Sequence, residues 1–281
     1  MTIYNNSLSI LTFKPQMEEL LALFGTKNES NCYQPFHLRA IRHSIKLFTA
    51  GCAGILQPVT DMAYAPYPDL VKFGQGENNK ANEAFSVWLK CLEADIPLSS
   101  IQSERICSLY EDTELTNLNW FNLSREQIAI IVHLFNQNGD YWFGHSGQIT
   151  EDDAIFYWNN YLDILPLQAD FDLRYIVPTS LASELNGHNK LLKGIESIRD
   201  FYIKTYCVDS PEINEINVMP QNDFGLIVEF DTQLAQLSEN VIIALSGQHK
   251  CDVVYTYNTY DNRYGDVIVA QKGRLLKMND D

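Results

Sequence analysis

Basic side chains are scarce in this sequence, with 20 Lys and Arg against 36 Asp and Glu in 281 residues, a formal net charge of −16. Binding to a phosphate backbone rests on clustered cations, and no basic stripe is present, so nucleic acid is not an expected partner. Anionic membrane surfaces are disfavoured for the same reason. Apolar runs are short, and none approaches the roughly 20 residues that a membrane-spanning helix requires. The opening residues, Met1-Thr2-Ile3-Tyr4-Asn5-Asn6, lack the cationic segment and apolar stretch of a secretory signal, and a cytoplasmic protein is expected. The 6 cysteines are widely scattered with no CxxC pair, which excludes a disulfide-rich frame and leaves reduced, mostly buried thiols. The 6 histidines form no short-spaced pair, Glu151-Asp152-Asp153 reads as a helix start, and Asn136 to Asp140 lacks the alternating acids of a calcium loop. No phosphate-binding loop occurs, so neither a metal nor a cofactor is expected.

What is present is ordinary globular composition, 46% hydrophobic and 20% charged. The first half carries helical spacing. Leu20, Leu21, Leu23 and Phe24 precede Gly25, and Leu38, Ile41, Ile45, Phe48 and Cys52 recur at three and four before Gly54. From Gln57 to Asn79 a Pro-, Gly- and Tyr-rich stretch cannot continue a helix and reads as an ordered surface loop, one suited to cover a pocket mouth or a domain seam. Helical spacing resumes with Ala81, Phe85, Trp88 and Leu92. Ser124-Arg125-Glu126-Gln127 has the form of a capping box, in which the serine oxygen accepts the third amide and Gln127 reaches back. Thr150, followed by three acids, suits the positive end of another helix, which ends before Pro166. Gly144-His145-Ser146-Gly147 lacks the second glycine of a nucleophile elbow and reads as a polar turn.

After Pro178 the period changes. Phe224, Leu226, Val228 and Phe230 alternate with other residues, as a half-buried strand does. A long strand is expected from Val241 to Tyr257, with His249, Cys251, Val253, Tyr255 and Tyr257 on one face and Lys250, Asp252, Val254 and Thr256 on the other. Lys272-Gly273 is placed to turn the chain between two last strands, Val267 to Ala270 and Arg274 to Met278.

A helix from about Thr150 to Leu165, a polar strand segment near Ser183 to Gly187, the pattern Gly194, Ile198, Phe201 and Tyr202, and the closing Gly273-Arg274-Leu275-Leu276 together resemble the nuclear transport factor two-like superfamily. That superfamily includes ketosteroid isomerase and the SnoaL-type cyclases. The resemblance implies an α+β fold in which a curved antiparallel sheet forms a cone around helices. The expected layout is a mostly helical domain at residues 1–145 and a cone domain at 146–281. It further implies a ligand cavity between the helix at 194–206 and the sheet. His249 is the candidate catalytic residue, an imidazole able to accept a proton beside phenols. Tyr202, Tyr206, Cys251 and Tyr255 are the candidate ligand-binding residues. The isomerases of that superfamily place an aspartate base on the sheet, whereas Asp252 falls on the face opposite His249. The leading expectation is binding, with isomerisation or cyclisation, of a small apolar ligand. The alternative is an acidic interaction protein, toxin-neutralising or regulatory, with a protein partner or a second copy of itself.

Overall fold

The computed structural model describes residues 3–24, 36–163, 171–213, 215–259, 265 and 267–276. Its helices are α1 (Lys14–Leu23), α2 (Phe36–Cys52), α3 (Lys80–Glu93), α4 (Ser100–Asp112), α5 (Arg125–Phe143), α6 (Glu151–Phe156), α7 (Leu181–Asn186), α8 (Ile198–Tyr206) and α9 (Glu239–Gln248). Its strands are β1 (Ile3–Leu11), β2 (Phe171–Asp172), β3 (Glu212–Ile213), β4 (Ile216–Asn222), β5 (Gly225–Gln233), β6 (Asp252–Thr259), β7 (Ile268–Gln271) and β8 (Arg274–Leu276). The molecule is therefore mixed helix and sheet, as expected. No helix among the described residues is long and apolar enough to cross a membrane.

Six strands form one sheet in the order β4-β5-β1-β6-β7-β8, every neighbouring pair antiparallel. The connectivity β1-α1, then β4-β5-α9-β6, is the split βαβ or ferredoxin-like arrangement, here with a long insertion after α1. Its middle strand is β1, which precedes every residue that carries the superfamily resemblance. Asn6, Leu8 and Ile10 are buried while Asn5, Ser9 and Leu11 are exposed, the period of two that a sheet with one solvated face imposes. β5 repeats the pattern with Leu226, Val228, Phe230 and Thr232 inside and Glu229, Asp231 and Gln233 outside. α9 packs on β6, β7 and β8. Lys272 and Gly273, both at positive φ (47° and 81°), make the two-residue turn between β7 and β8.

The chain divides into two compact units, and the division is not a cut between residues 145 and 146. The sheet unit comprises 1–32, 168–178 and 199–281, because β1 pairs with β5 and β6 more than 200 positions later. The helical unit comprises 33–167 and 179–198. Two local expectations are corrected. Val241 to Gln248 is helix rather than strand: its apolar run is continuous, and Val241, Ile242, Leu245 and Ser246 share the buried side. Ser183 to Asn186 belongs to α7, capped by the Ser180 side chain, rather than to a strand.

In the helical unit the capping signals hold. Ser124 and Gln127 form the reciprocal box that opens α5, and Thr150 and Asp153 form a second one at α6. α6 continues into a π-helical turn over Tyr157–Tyr161, and residues 164–165 of the expected helix lie outside those described. The loop from Gln57 to Asn79 is ordered: it buries Tyr64 and Leu70, and its backbone bonds to the Asn82 and Ser86 side chains of α3. Trp88, Trp120, Trp158, Phe85 and Phe135 fill the core of this unit.

If β1 is integral to the sheet unit, Leu8→Ala should cost about 2–5 kcal/mol of stability, as buried leucine truncations do. Ser9→Ala, on the solvated face of the same strand, should stay within about 0.5 kcal/mol. Urea unfolding midpoints of the two variants check this, and equal effects would argue against a buried β1.

Candidate functional site

Each residue expected to line a cavity has a definite place. Tyr255 is fully buried on the inner face of β6; its hydroxyl donates to Asn6 Oδ1 at 2.6 Å and accepts the Leu237 N–H at 2.9 Å. Burial holds this phenol well above its ordinary pKa. Tyr206 donates to the Val177 carbonyl at 2.5 Å, and Tyr202 accepts from Arg174 Nη1 at 3.3 Å. Cys251 is buried, and burial pushes its thiol up to about 11, out of thiolate range at neutral pH. These four side chains are packed into the sheet unit with their polar atoms engaged by protein groups. His249 stands apart from them: it caps the C-terminus of α9 instead of riding on β6. Its Nδ1 lies 3.7 Å from Glu19 Oε2, an ion-pair distance too long for a hydrogen bond. Burial lowers its pKa and the Glu19 charge partly opposes that. Asp252 opens β6 on the opposite face and accepts from Gln271 Nε2 at 3.0 Å.

A second group, unforeseen from the sequence, sits in the helical unit. Lys46 on α2 is completely buried, and its Nζ lies 2.6 Å from Asp163 Oδ2. Tyr110 on α4 donates to the other oxygen of Asp163, and the Trp158 ring lies 5.1 Å from the ammonium. Desolvation lowers the lysine pKa and the Asp163 charge partly restores it. His43, one turn before Lys46, stacks on Tyr110 with centroids 3.9 Å apart and leaves its Nδ1 without a hydrogen-bond partner. Burial first, then the charges of Arg39 and Lys46, push its pKa down to about 3. The α2 pattern reveals His43 and Lys46 only as helix positions; their burial comes from α4 and the π-helical turn closing over them. Completely buried, bonded to Asp163 and flanked by the Trp158 ring, this lysine fits a structural ion pair.

A third feature faces solvent at one end of the sheet unit. Leu11, Phe13 and Phe224 are 57%, 66% and 56% exposed. Leu11 lies opposite Gly225, and the Thr12 N–H donates to the Phe224 carbonyl at 2.9 Å, which sets the two backbone segments that carry them side by side. Beside them opens a cleft of about 360 Å³, lined by Lys14, Met17, Glu18 and Leu21 of α1 and by the stretch from Pro220 to Asp223. Met17, Leu21 and Pro220 give it apolar walls, and Glu18 and Asp223 outnumber the one cation, Lys14. Phe13-Lys14-Pro15 and Asp223-Phe224-Gly225 are turn-flanked aromatics in the sequence. Only the β1 and β5 pairing shows that they meet.

A family model described as a protein of unknown function (DUF1281) matches residues 34–210. That segment spans nearly all of the helical unit, with Lys46 and Asp163, and stops before β4. The chain is 29% identical over 142 residues to the uncharacterized protein YubA of Escherichia coli strain K12, covering 49% of this chain and 80% of YubA. It is 35% identical over 88 residues to the uncharacterized protein YubB of the same strain, covering 31% of this chain and 61% of YubB. The crystal structure of protein api92 from Yersinia pseudotuberculosis superposes with a TM-score of 0.86 at 27% identity, over 99% of this chain and 96% of that one. The likeness to api92 therefore takes in both units.

Two measurements test the buried group. Asp163→Asn leaves the Lys46 ammonium uncompensated and should cost about 3–5 kcal/mol; adding Lys46→Met should recover most of that loss, because an apolar replacement of the pair removes its desolvation cost. Additive losses in the double variant would contradict this account. For His43, the unfolded chain binds a proton near pH 6.5 and the folded chain only near pH 3. The folded state gains stability as pH rises through that window; this contribution is complete above about 6.5 and is lost as pH falls toward about 3. His43→Phe should retain the stacking and flatten the slope of unfolding free energy against pH between these limits.

Proposed function

The chain belongs to the family described as a protein of unknown function (DUF1281), and we propose that it is an acidic interaction protein whose sheet unit docks a basic, amphipathic partner segment. The observation that carries this reading is the grouping of Leu11, Phe13 and Phe224, each more than half exposed, beside the cleft between α1 and the β4–β5 turn. Scattered exposed apolar residues need no explanation, but three carried on adjoining backbone segments near a concavity suit the docking of a partner. Covering one such side chain contributes about 1.5–3 kcal/mol, so three of them suffice to anchor a partner. The cleft's excess of Glu18 and Asp223 over Lys14, within a chain of net charge −16, selects for cationic groups at the rim. Glu229 and Asp231, exposed on the open face of β5, extend the same sign of charge along the sheet. The interior is packed by the protein's own tyrosines, which supports docking at the surface over catalysis in a cone.

A small apolar ligand is the second reading. The cleft volume supports it, since small-molecule sites run from roughly 300 to 1,000 Å³.

A synthetic helical peptide of alternating Lys and Leu turns, and its counterpart with Glu in place of Lys, separate the readings by calorimetry. The basic peptide should bind and the acidic one should not. Phe13→Ser with Phe224→Ser should weaken binding by at least about tenfold, the equivalent of about 1.4 kcal/mol. Equal affinity for both peptides, or indifference to the phenylalanine changes, would remove the interaction reading. An apolar fluorescent dye whose binding disappears in Leu21→Asp, with no peptide binding to the unaltered chain, would establish the small-ligand reading in its place.

A further inference from the structure

The two edges of the six-stranded sheet differ in a way that identifies a partner. Among the described residues β8 spans Arg274–Leu276 and begins with the exposed Arg274, a charge of the kind by which an edge strand discourages strand addition. β4 is 7 residues long, Ile216-Asn217-Val218-Met219-Pro220-Gln221-Asn222, and carries no charged side chain. Among the described residues it pairs on one side alone, with β5. Ile216, Val218 and Met219 are half-buried there, with β-branched and apolar side chains incompletely covered at the edge.

We propose that β4 pairs with β4 of a second copy of this chain across a two-fold axis, joining the two sheets into one. Antiparallel pairing is the geometry that a two-fold axis gives two identical strands. Centred on Val218, it sets Val218 against Val218, Asn217 against Met219 and Ile216 against Pro220. The nearest preceding acid, Glu215, then faces Gln221, and Asp223 lies past the end of the paired segment. No acid opposes an acid. For a molecule of net charge −16 this condition decides the occupant, because two copies repel across nearly any charged surface they could share and the uncharged strand removes that penalty locally. On the open face the pairing sets Met219, which lies beside Ile227, against the uncharged Asn217 of the second copy. Outward backbone groups of β4 gain partners, and Pro220 limits the ladder to the first part of the strand. The paired segment shares Pro220 and Gln221 with the cleft beside α1, while Asn217 and Met219, the positions altered below, do not line that cleft.

Light scattering on the whole chain at micromolar concentration tests it. The unaltered protein should have twice the mass of one chain. Asn217→Lys/Met219→Lys sets lysines directly opposite lysines and should raise the dimer dissociation constant at least about tenfold, since like charges across strands are destabilising. Mixing that variant with differently tagged Met219→Glu should restore a mixed dimer through opposite charges. Far-UV circular dichroism confirms that both variants are folded. A monomeric unaltered chain would overturn the proposal. So would a dimer indifferent to the lysines, or lysine and glutamate variants that stay apart when mixed.

Discussion

The sheet unit depends on one strand held between two partners that the chain supplies more than 200 residues later. β1 lies between β5 and β6, and a buried asparagine ties it to both: Asn6 Nδ2 donates to Thr232 Oγ1 at 2.9 Å and to the Phe230 carbonyl at 3.2 Å, while Asn6 Oδ1 accepts from Tyr255. A slip of one residue would turn Asn6, Leu8 and Ile10 to solvent and leave the buried Tyr255 hydroxyl without its acceptor, at about 1–3 kcal/mol for that group. The polar contact therefore specifies register where an all-apolar core would tolerate alternatives. Arg174 plays a comparable part elsewhere in this unit. Buried to 5% exposure, it bonds Asp172 through Nε and Nη2 and so fixes the turn that follows β2.

The helical unit follows a different logic. Its core is aromatic, with Phe143 stacked on Tyr157 at 4.0 Å and Phe85 on Trp88 at 5.6 Å, and its helices start at side-chain caps that act within four residues. Buried polar groups are again satisfied in sets: Glu184 accepts from Thr179 and Tyr141, and Asp163 from Lys46 and Tyr110. Such sets are stable as wholes and costly to break singly. For Lys46, burial and the pairing with Asp163 account for the perturbed ionisation, and for His43, burial and the charges of Arg39 and Lys46.

The proposed contacts lie at the surface. In a chain of net charge −16, two regions carry apolar or uncharged side chains, the tip around Leu11, Phe13 and Phe224 and the strand β4. Both lie on the sheet unit and mostly outside the segment that matches the family model, so the matched helical unit and the proposed contact surfaces are separate parts of the molecule.

The amino-acid sequence by itself determined what rests on neighbours within a few residues. The capping boxes at Ser124 and Thr150, the apolar faces of α2 and α3, the alternation of β5 and the latter part of β6, and the Lys272-Gly273 turn were all legible, because hydrogen-bond geometry and side-chain period set them locally. The stretch from Val241 to Gln248 was misread, since a short continuous apolar run satisfies a buried strand and a buried helix equally. β1 gave no signal, being rich in Asn and Ser with only Leu8 and Ile10 as deep apolar positions. Tertiary structure alone decided that this polar strand is the centre of the sheet, that His249 caps a helix, and that Tyr255 spends its hydroxyl on Asn6 instead of a ligand. Each of these depends on pairing between segments far apart in the chain, and the free energy of that pairing comes from burial and register that no local pattern encodes.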